Sequence, residues 1–230
     1  MASTEHSAVV ITGASSGIGR ALALEMASRG HTLGLMARRM ALLEQLRDEI
    51  HAACGNELRV ELAAVNVCET ALVGPALQEL FARLGGIDTI VVNAGANDIT
   101  RIGAGDLDKE LNLIQTNLAG AIATVSAATE HFMKRGQGHI VGISSLASLQ
   151  PIAMQAAYCA SKAGFSMYLD SARVELKRKG ITITDILPGY IKTDIVEGVD
   201  IGQMPFAIPV EQAAREMARM IGKRVKSGVV

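Results

Sequence analysis

What most constrains this chain is a change of hydrophobic period repeated along its length. Short apolar runs rich in β-branched residues cover Ala8–Thr12, Thr32–Ala37, Arg59–Val67, Ile87–Asn93, His139–Ser144 and Ile181–Leu187, with a last one starting at Val229. Between them the spacing of apolar residues predicts helices over Ala21–Ala27, Leu42–Ala53, Ala71–Leu84, Leu107–Arg135, Met154–Lys179 and Val210–Gly222. Such alternation yields a parallel sheet covered by helices on both faces, the α/β, doubly wound class. Right-handed crossovers and a reversal of strand order place the ligand crevice at the carboxyl ends of the strands. With 230 residues and 49% hydrophobic content there is material for one sizeable core, so a single domain spanning 1–230 is expected.

The first strand leads into Gly13-Ala-Ser-Ser-Gly17-Ile-Gly19 and then into helical period. A glycine turn between strand and helix lets backbone N–H groups and the positive helix end approach a pyrophosphate. The spacing is Gly-x-x-x-Gly-x-Gly. A turn of this kind can also merely connect two elements, but its flanks are those that dinucleotide binding requires. Further along, Tyr158 and Lys162 in Tyr-Cys-Ala-Ser-Lys lie one helical turn apart on one face. A cation beside a phenol favours phenolate and brings an ordinary pKa of about 10 towards working range.

Taken in order, Thr12-Gly13-Ala14-Ser15-Ser16-Gly17-Ile18-Gly19, Asn93-Ala94-Gly95, Asn117, Ser145, Tyr158 with Lys162, and Pro188-Gly189 followed by Thr193 resemble the motifs of the short-chain dehydrogenase/reductase family. Ser145 precedes Tyr158 by 13 residues and Asn117 precedes it by 41, close to the family's spacing. The resemblance runs from Ala8 to about Val230. It implies a single-domain Rossmann fold, a nicotinamide cofactor, and hydride transfer between that cofactor and a carbonyl or secondary alcohol. By resemblance Ser145 and Tyr158 donate to the substrate oxygen and Tyr158 passes the proton. Lys162 lowers the phenol pKa and holds the ribose hydroxyls, and Asn117 helps hold a water linking Lys162 to solvent. The cofactor would lie along Gly13, Ser15, Ser16, Gly17, Ile18 and Gly19, against Asn66 and Val67, Asn93, Ala94 and Gly95, Tyr158 and Lys162, and Pro188, Gly189, Ile191 and Thr193. Asn66 stands where the family usually has an aspartate near the adenine.

Cofactor choice turns on the residue near the end of the second strand. A ribose 2′-hydroxyl is usually held by an acidic side chain about 20 positions past the glycine loop, whereas a 2′-phosphate needs a cation. Arg38 lies 19 residues past Gly19 and Arg39 follows it. A guanidinium can clamp phosphate through two hydrogen bonds, so NADP (NADPH) is expected ahead of NAD.

A formal net charge of −1 without a long basic tract argues against nucleic acid as a partner. No uninterrupted apolar stretch reaches the roughly 18 residues of a membrane span, and the first residues lack a signal-peptide pattern, so a cytoplasmic location is expected. Cys54, Cys68 and Cys159 read as free thiols, and the five scattered histidines lack metal-ligand spacing, so no metal site is expected. Asn97, Leu146, Leu149, Gln155 and the segment from Tyr190 to Phe206 are expected to line the substrate pocket, with Ile195, Val199, Met204 and Phe206 making it mostly apolar. That favours a lipophilic, small to medium carbonyl or alcohol as the small-molecule partner. Ala156, Ala157, Ala160, Ala163 and Gly164 predict close packing of the catalytic helix, and with the helix over Leu107–Arg135 a homodimer or homotetramer interface. The alternative is an NADPH-binding sensor or scaffold with little turnover.

Overall fold

The strand runs form because their residues are buried on both sides. In the computed structural model, which describes residues 7–193 and 206–230, the strands are β1 (Ala8–Thr12), β2 (Thr32–Ala37), β3 (Val60–Ala64), β4 (Thr89–Val92), β5 (Gly138–Ile143) and β6 (Ile181–Leu187). The pairs β7 (Ile191–Lys192) and β8 (Ile208–Pro209), and the last strand β9 (Ser227–Val229), complete the set. Seven strands form one parallel sheet in the order β3-β2-β1-β4-β5-β6-β9. The order reverses between β1 and β4, which opens the crevice at their carboxyl ends. This is the doubly wound α/β architecture that the alternation predicts.

Alternate strand residues feed two cores, one on each face. Ile11, Leu35, Val91 and Val141 meet helices α1 (Gly17–Ser28), α2 (Met40–Cys54) and α7 (Val210–Lys223) through Leu22, Leu43 and Met217. Val10, Ile90, Ile140 and Ile183 meet α3 (Thr70–Leu84), α5 (Gly120–Arg135) and α6 (Ala156–Leu176) through Phe81, Phe132 and Phe165. Phe81, Phe132 and Phe165 are fully buried, and at about 25 cal/mol per Å² each such ring is worth several kcal/mol of apolar burial.

The boundaries differ from the sequence reading where local chemistry intervenes. Leu107–Arg135 is not one uniform helix: α4 (Leu107–Ile114) passes into a π-helical turn at Gln115–Ala119 and only then into α5. The third strand ends at Ala64, because Asn66 turns the chain by accepting the Cys68 N–H at 3.2 Å. Helix α6 begins at Ala156, two residues late, since Met154 takes a left-handed φ of 61° that no helix continues. Its last three residues, Lys177–Lys179, tighten into a 3-10 turn before Gly180. The last strand begins at Ser227, two residues earlier than expected, and the β7–β8 pair was not foreseen. Ala156, Ala160 and Ala163 are exposed rather than buried against a neighbour, while Gly164 makes the expected close approach, a Cβ there meeting Leu118 at 3.2 Å. A groove of about 500 Å³ lies between α5 and α6, lined by Val125, Thr129, Met133, Tyr168 and Ala172. Among the described residues no helix is long and apolar enough to cross a membrane, and no cluster of three His, Cys, Asp or Glu could hold a metal ion.

Candidate active site

The site is assembled from the turns and helices that leave the carboxyl ends of the strands. Thr12 closes β1 fully buried, and its Oγ1 accepts the N–H groups of Asn93 and Ala94, both at 3.0 Å. Asn93 answers by donating from Nδ2 to the Thr12 carbonyl at 2.9 Å and the Gly13 carbonyl at 3.3 Å. The glycine loop is thereby laced to the Asn93-Ala94-Gly95 turn. A Cβ on Gly19 would stand 2.4 Å from the Gly13 carbonyl oxygen and 2.5 Å from Asn93 Nδ2, so no other residue fits. Gly17 is left-handed at φ 53° and its open side faces Thr193, whose Cγ2 a Cβ would meet at 3.7 Å.

Helix α1 starts with its first-turn donors open. Ser16 is its N-cap residue, its side chain makes no capping hydrogen bond, and no acidic residue occupies the first turn. Four N–H groups at a helix start lack intrahelical partners, which makes such an end a ready anion site. Arg39 reaches over it, Nη2 donating to Ser15 Oγ and Ser16 Oγ at 3.3 Å each. Arg38 is exposed and has no ion-pair partner among the described residues. Ile191 and Val67 are buried, one in each core, and Ile18 is partly buried against the core on the α1 side. Asn66 uses its side-chain oxygen on the Cys68 N–H, which occupies one of the lone pairs that an adenine amine would need.

Ser145, Tyr158, Lys162 and Asn117 converge beside this loop. Ser145 caps the 3-10 turn Leu146–Ser148, its Oγ accepting from the Ala147 N–H at 3.1 Å, and it is near enough to Tyr158 to act on the phenol's pKa. Leu146 N–H is held by the Pro188 carbonyl at 2.9 Å, which sets Pro188-Gly189 beside the serine. Lys162 is 6% exposed, with Nζ donating to the Ile143 carbonyl at 2.9 Å and lying 5.9 Å from the centre of the Tyr158 ring. Asn117 is buried in the π-helical turn and bonds Ala96 twice and Ser161 Oγ once. Gly95 lies against two of them: a Cβ there would stand 3.2 Å from Asn117 Oδ1 and 3.6 Å from Lys162 Nζ.

The electrostatics differ from expectation at the phenol. Burial pushes the Tyr158 pKa above its ordinary value, with Ser145 pulling it down and Cys159 adding to the rise. Lys162 does not offset this, because its ammonium is turned to the Ile143 carbonyl while burial acts on the hydroxyl directly. Burial also lowers Lys162 to about 8, opposed by Asp185. The resting arrangement therefore holds a protonated phenol beside a hydroxyl donor, with an ammonium one turn further on: a set able to protonate an oxygen anion.

A family model described as short chain dehydrogenase matches residues 7–203. The chain belongs to the short-chain dehydrogenase family. It is thus an oxidoreductase of a family that uses a nicotinamide cofactor. An uncharacterized oxidoreductase of Myxococcus xanthus is 37% identical over 221 residues, covering 96% of this chain and 86% of the relative. One from Mycobacterium tuberculosis is 36% identical over 188 residues, covering 81% and 74%. Among solved structures, a short-chain type dehydrogenase/reductase from Mycobacterium marinum has a TM-score of 0.87 at 26% identity, covering 97% of this chain and 92% of that one. The alcohol dehydrogenase of Thermococcus sibiricus complexed with 5-hydroxy-NADP has a TM-score of 0.87 at 24% identity, covering 97% and 95%, and shares the fold.

Of the residues the sequence singled out, Asn117, Ser145, Tyr158 and Lys162 come together with Gly95. Leu149 and Tyr190 are exposed, on segments adjoining Ser145 and Pro188, and Phe206 is 84% exposed. Ile195, Val199 and Met204 fall outside the described residues. Sequence reading missed Thr12 as the latch and Ser161 as the partner of Asn117. The signal for Thr12 was a hydroxyl closing a wholly apolar strand; Ser161 carried none.

Proposed function

We propose that the protein is an NADP(H)-dependent reductase of lipophilic, small to medium carbonyl compounds, running equally as an alcohol dehydrogenase in reverse. The observation that carries this reading is Tyr158 with Ser145 acting on its phenol and buried Lys162 one turn on, beside a glycine loop whose helix donors are open. The residues fit a nicotinamide dinucleotide: the uncapped first turn of α1 and the close-packed Gly13 and Gly19 suit a pyrophosphate, and exposed Arg38, with no ion-pair partner among the described residues, suits a 2′-phosphate. When bound, that cofactor supplies the hydride donor or acceptor.

The chain's own residues do the rest. Ser145 and Tyr158 donate to the substrate oxygen, and Tyr158, kept protonated by burial, releases its proton as negative charge develops there. Lys162 presents its ammonium to the ribose and supplies positive charge near the phenolate that remains. Asn117 fixes the Ala96 loop that backs this surface. Exposed Leu149, Met154, Tyr190 and Phe206, with Ile102 and Leu111 on the neighbouring loop and helix, support an apolar substrate. The exposed Ala156, Ala160, Ala163 and Met167 row on α6 supports a homo-oligomer.

The test is a titration of NADPH and NADH against the purified protein, followed by nicotinamide absorbance with a panel of aldehydes, ketones and quinones. Tight NADPH binding with turnover is the expected result. Binding with no turnover on any carbonyl would transfer the protein to the sensor reading, and no binding would overturn both.

A further inference from the structure

Gln115 opens the π-helical turn two residues before Asn117, and the roles assigned above leave it without one. Its Nε2 donates to the Cys68 carbonyl at 2.8 Å. Thr116 beside it has its Oγ1 3.1 Å from Cys68 Sγ. Just past the turn, Gly120 meets the Val67 carbonyl so closely that a Cβ would stand 2.7 Å from that oxygen. Three residues of one segment therefore fasten the turn after β3, Asn66-Val67-Cys68, from the same side. That turn is also tied from within, Asn66 Oδ1 accepting the Cys68 N–H at 3.2 Å and the Asn66 carbonyl accepting the Glu69 N–H at 3.0 Å.

The place of the turn gives it its use. The Val65 N–H just ahead of it is accepted by the Ala37 carbonyl at 3.0 Å, so the turn stands next to Arg38 at the carboxyl end of β2. A dinucleotide whose pyrophosphate lies on the glycine loop, at the end of β1, has one half on each side of that loop. The reacting half must reach Ser145, after β5, and Tyr158 and Lys162 on α6. The sheet order β3-β2-β1-β4-β5 then sends the adenosine half the other way, past Arg38 and against the turn after β3. Asn117, two residues beyond Gln115, grips Ala96 after β4 and Ser161 on α6. The π-helical turn thus holds both ends of the crevice, Gln115 and Thr116 the adenosine end and Asn117 the reacting end.

We propose that Gln115 is a positioning residue for the adenosine half of the cofactor: by holding the Cys68 carbonyl it fixes the Asn66-Val67-Cys68 turn as the wall on which that half rests. The inference rests on the reading of the glycine loop and Arg38 as a nicotinamide dinucleotide site. Without the Gln115 amide the Cys68 carbonyl loses a hydrogen bond, and a turn that belongs to neither β3 nor α3 gains freedom that binding must then remove. The loss falls on cofactor affinity and leaves the proton transfer at Tyr158 as it was.

The test compares Gln115→Met, which fills much the same volume without a donor, and Gln115→Lys, which returns a donor, with the wild type. Isothermal titration measures ADP-ribose and 2′-phospho-ADP-ribose, the adenosine-bearing parts of the two cofactors without nicotinamide. Turnover with NADPH on the best carbonyl of the panel gives kcat and KM, and urea unfolding gives stability. In Gln115→Met both compounds bind roughly 3- to 10-fold more weakly, as the loss of one neutral hydrogen bond implies. The factor is the same for both, because Arg38 is untouched. KM for NADPH rises alongside while kcat stays within about twofold, and Gln115→Lys returns affinity to within about twofold of the wild type. A folded Gln115→Met variant of unchanged affinity overturns the proposal, whatever its stability. So does a fall in kcat at unchanged KM, which would assign Gln115 to the catalytic helix through Asn117, and so does a Gln115→Lys variant as weak as Gln115→Met. Should Gln115→Met not fold, Gln115→Ala takes its place in the same comparison. Weakened binding in a protein that reduces no carbonyl supports this inference and removes the reductase reading; a wild type that binds neither compound removes both.

Discussion

Asn117 grips both backbone groups of Ala96, its Oδ1 accepting the N–H at 2.8 Å and its Nδ2 donating to the carbonyl at 2.9 Å. A side-chain amide paired with a peptide in this way imitates one rung of a sheet. The turn after β4 is fixed by it to the helical segment that crosses the site. The same Nδ2 donates to Ser161 Oγ at 3.1 Å, and Ser161 donates to the Tyr158 carbonyl at 2.7 Å, so one amide couples the loop to the helix carrying the phenol.

Asn117→Ala removes this clamp and leaves buried donors and acceptors on Ala96 and Ser161. The expected loss is about 2–4 kcal/mol, from the desolvation of groups left unpaired. Urea unfolding at pH 7 measures it; a loss under about 0.5 kcal/mol would mean the loop holds its place without the amide.

Tyr158→Phe keeps the ring and removes the acid. Turnover of any accepted carbonyl should fall by about 10² to 10⁴, the usual contribution of a general acid, while the Kd for NADPH stays within about twofold. Steady-state rates and a fluorescence titration on one preparation separate the two effects. Activity surviving in the variant would refute the assignment of the proton to Tyr158.

Arg38→Ala should distinguish the two nicotinamide cofactors. Charge-assisted hydrogen bonds of about 1.5–3 kcal/mol correspond to roughly 10- to 100-fold weaker NADPH binding, with NADH little changed. Parallel isothermal titrations with both decide it. Equal weakening of both would place the 2′-phosphate elsewhere or nowhere.

His139 should give the fold an acid limit of its own. It is 1% exposed, its Nε2 lies 2.9 Å from Thr184 Oγ1, and burial, with Arg224 adding, lowers its pKa from 6.5 to about 4. Between pH 6.5 and 4 the unfolded chain binds the proton and the folded chain does not, so stability falls as pH falls through this window. The full effect is roughly 3 kcal/mol. Urea unfolding from pH 7 to 4 should show a shallower slope in His139→Gln than in the wild type; identical slopes would assign the acid sensitivity to other groups.

Much of this architecture was legible because period and glycine placement are local signals. The buried strand runs announced themselves, and so did the loop from Gly13 to Gly19, whose spacing is dictated by close approach. Less visible was anything that depends on two distant segments meeting. Ser161 reads as an ordinary helical serine until Asn117 is beside it, donating to its Oγ. The phenol's pKa was misjudged for the same reason: sequence spacing gives the Tyr158–Lys162 separation but neither the burial of the hydroxyl nor the direction of the ammonium. Met154 and its left-handed backbone gave no warning either, since the residue is not one that favours that conformation.

The π-helical turn at Gln115–Ala119 lets the chain carry an added residue without turning the helix that follows. Such a turn carries one residue more than an α-helix would, and each residue advances a helix by about 100°. The wider i→i+5 turn spreads five residues over roughly the rotation that four make in an α-helix, so Val125, Ala128 and Phe132 keep their bearing on the sheet across it. The segment thus houses one residue beyond what the helix needs, and Asn117, seated within it, uses its amide on Ala96 and Ser161 without disturbing the packing downstream.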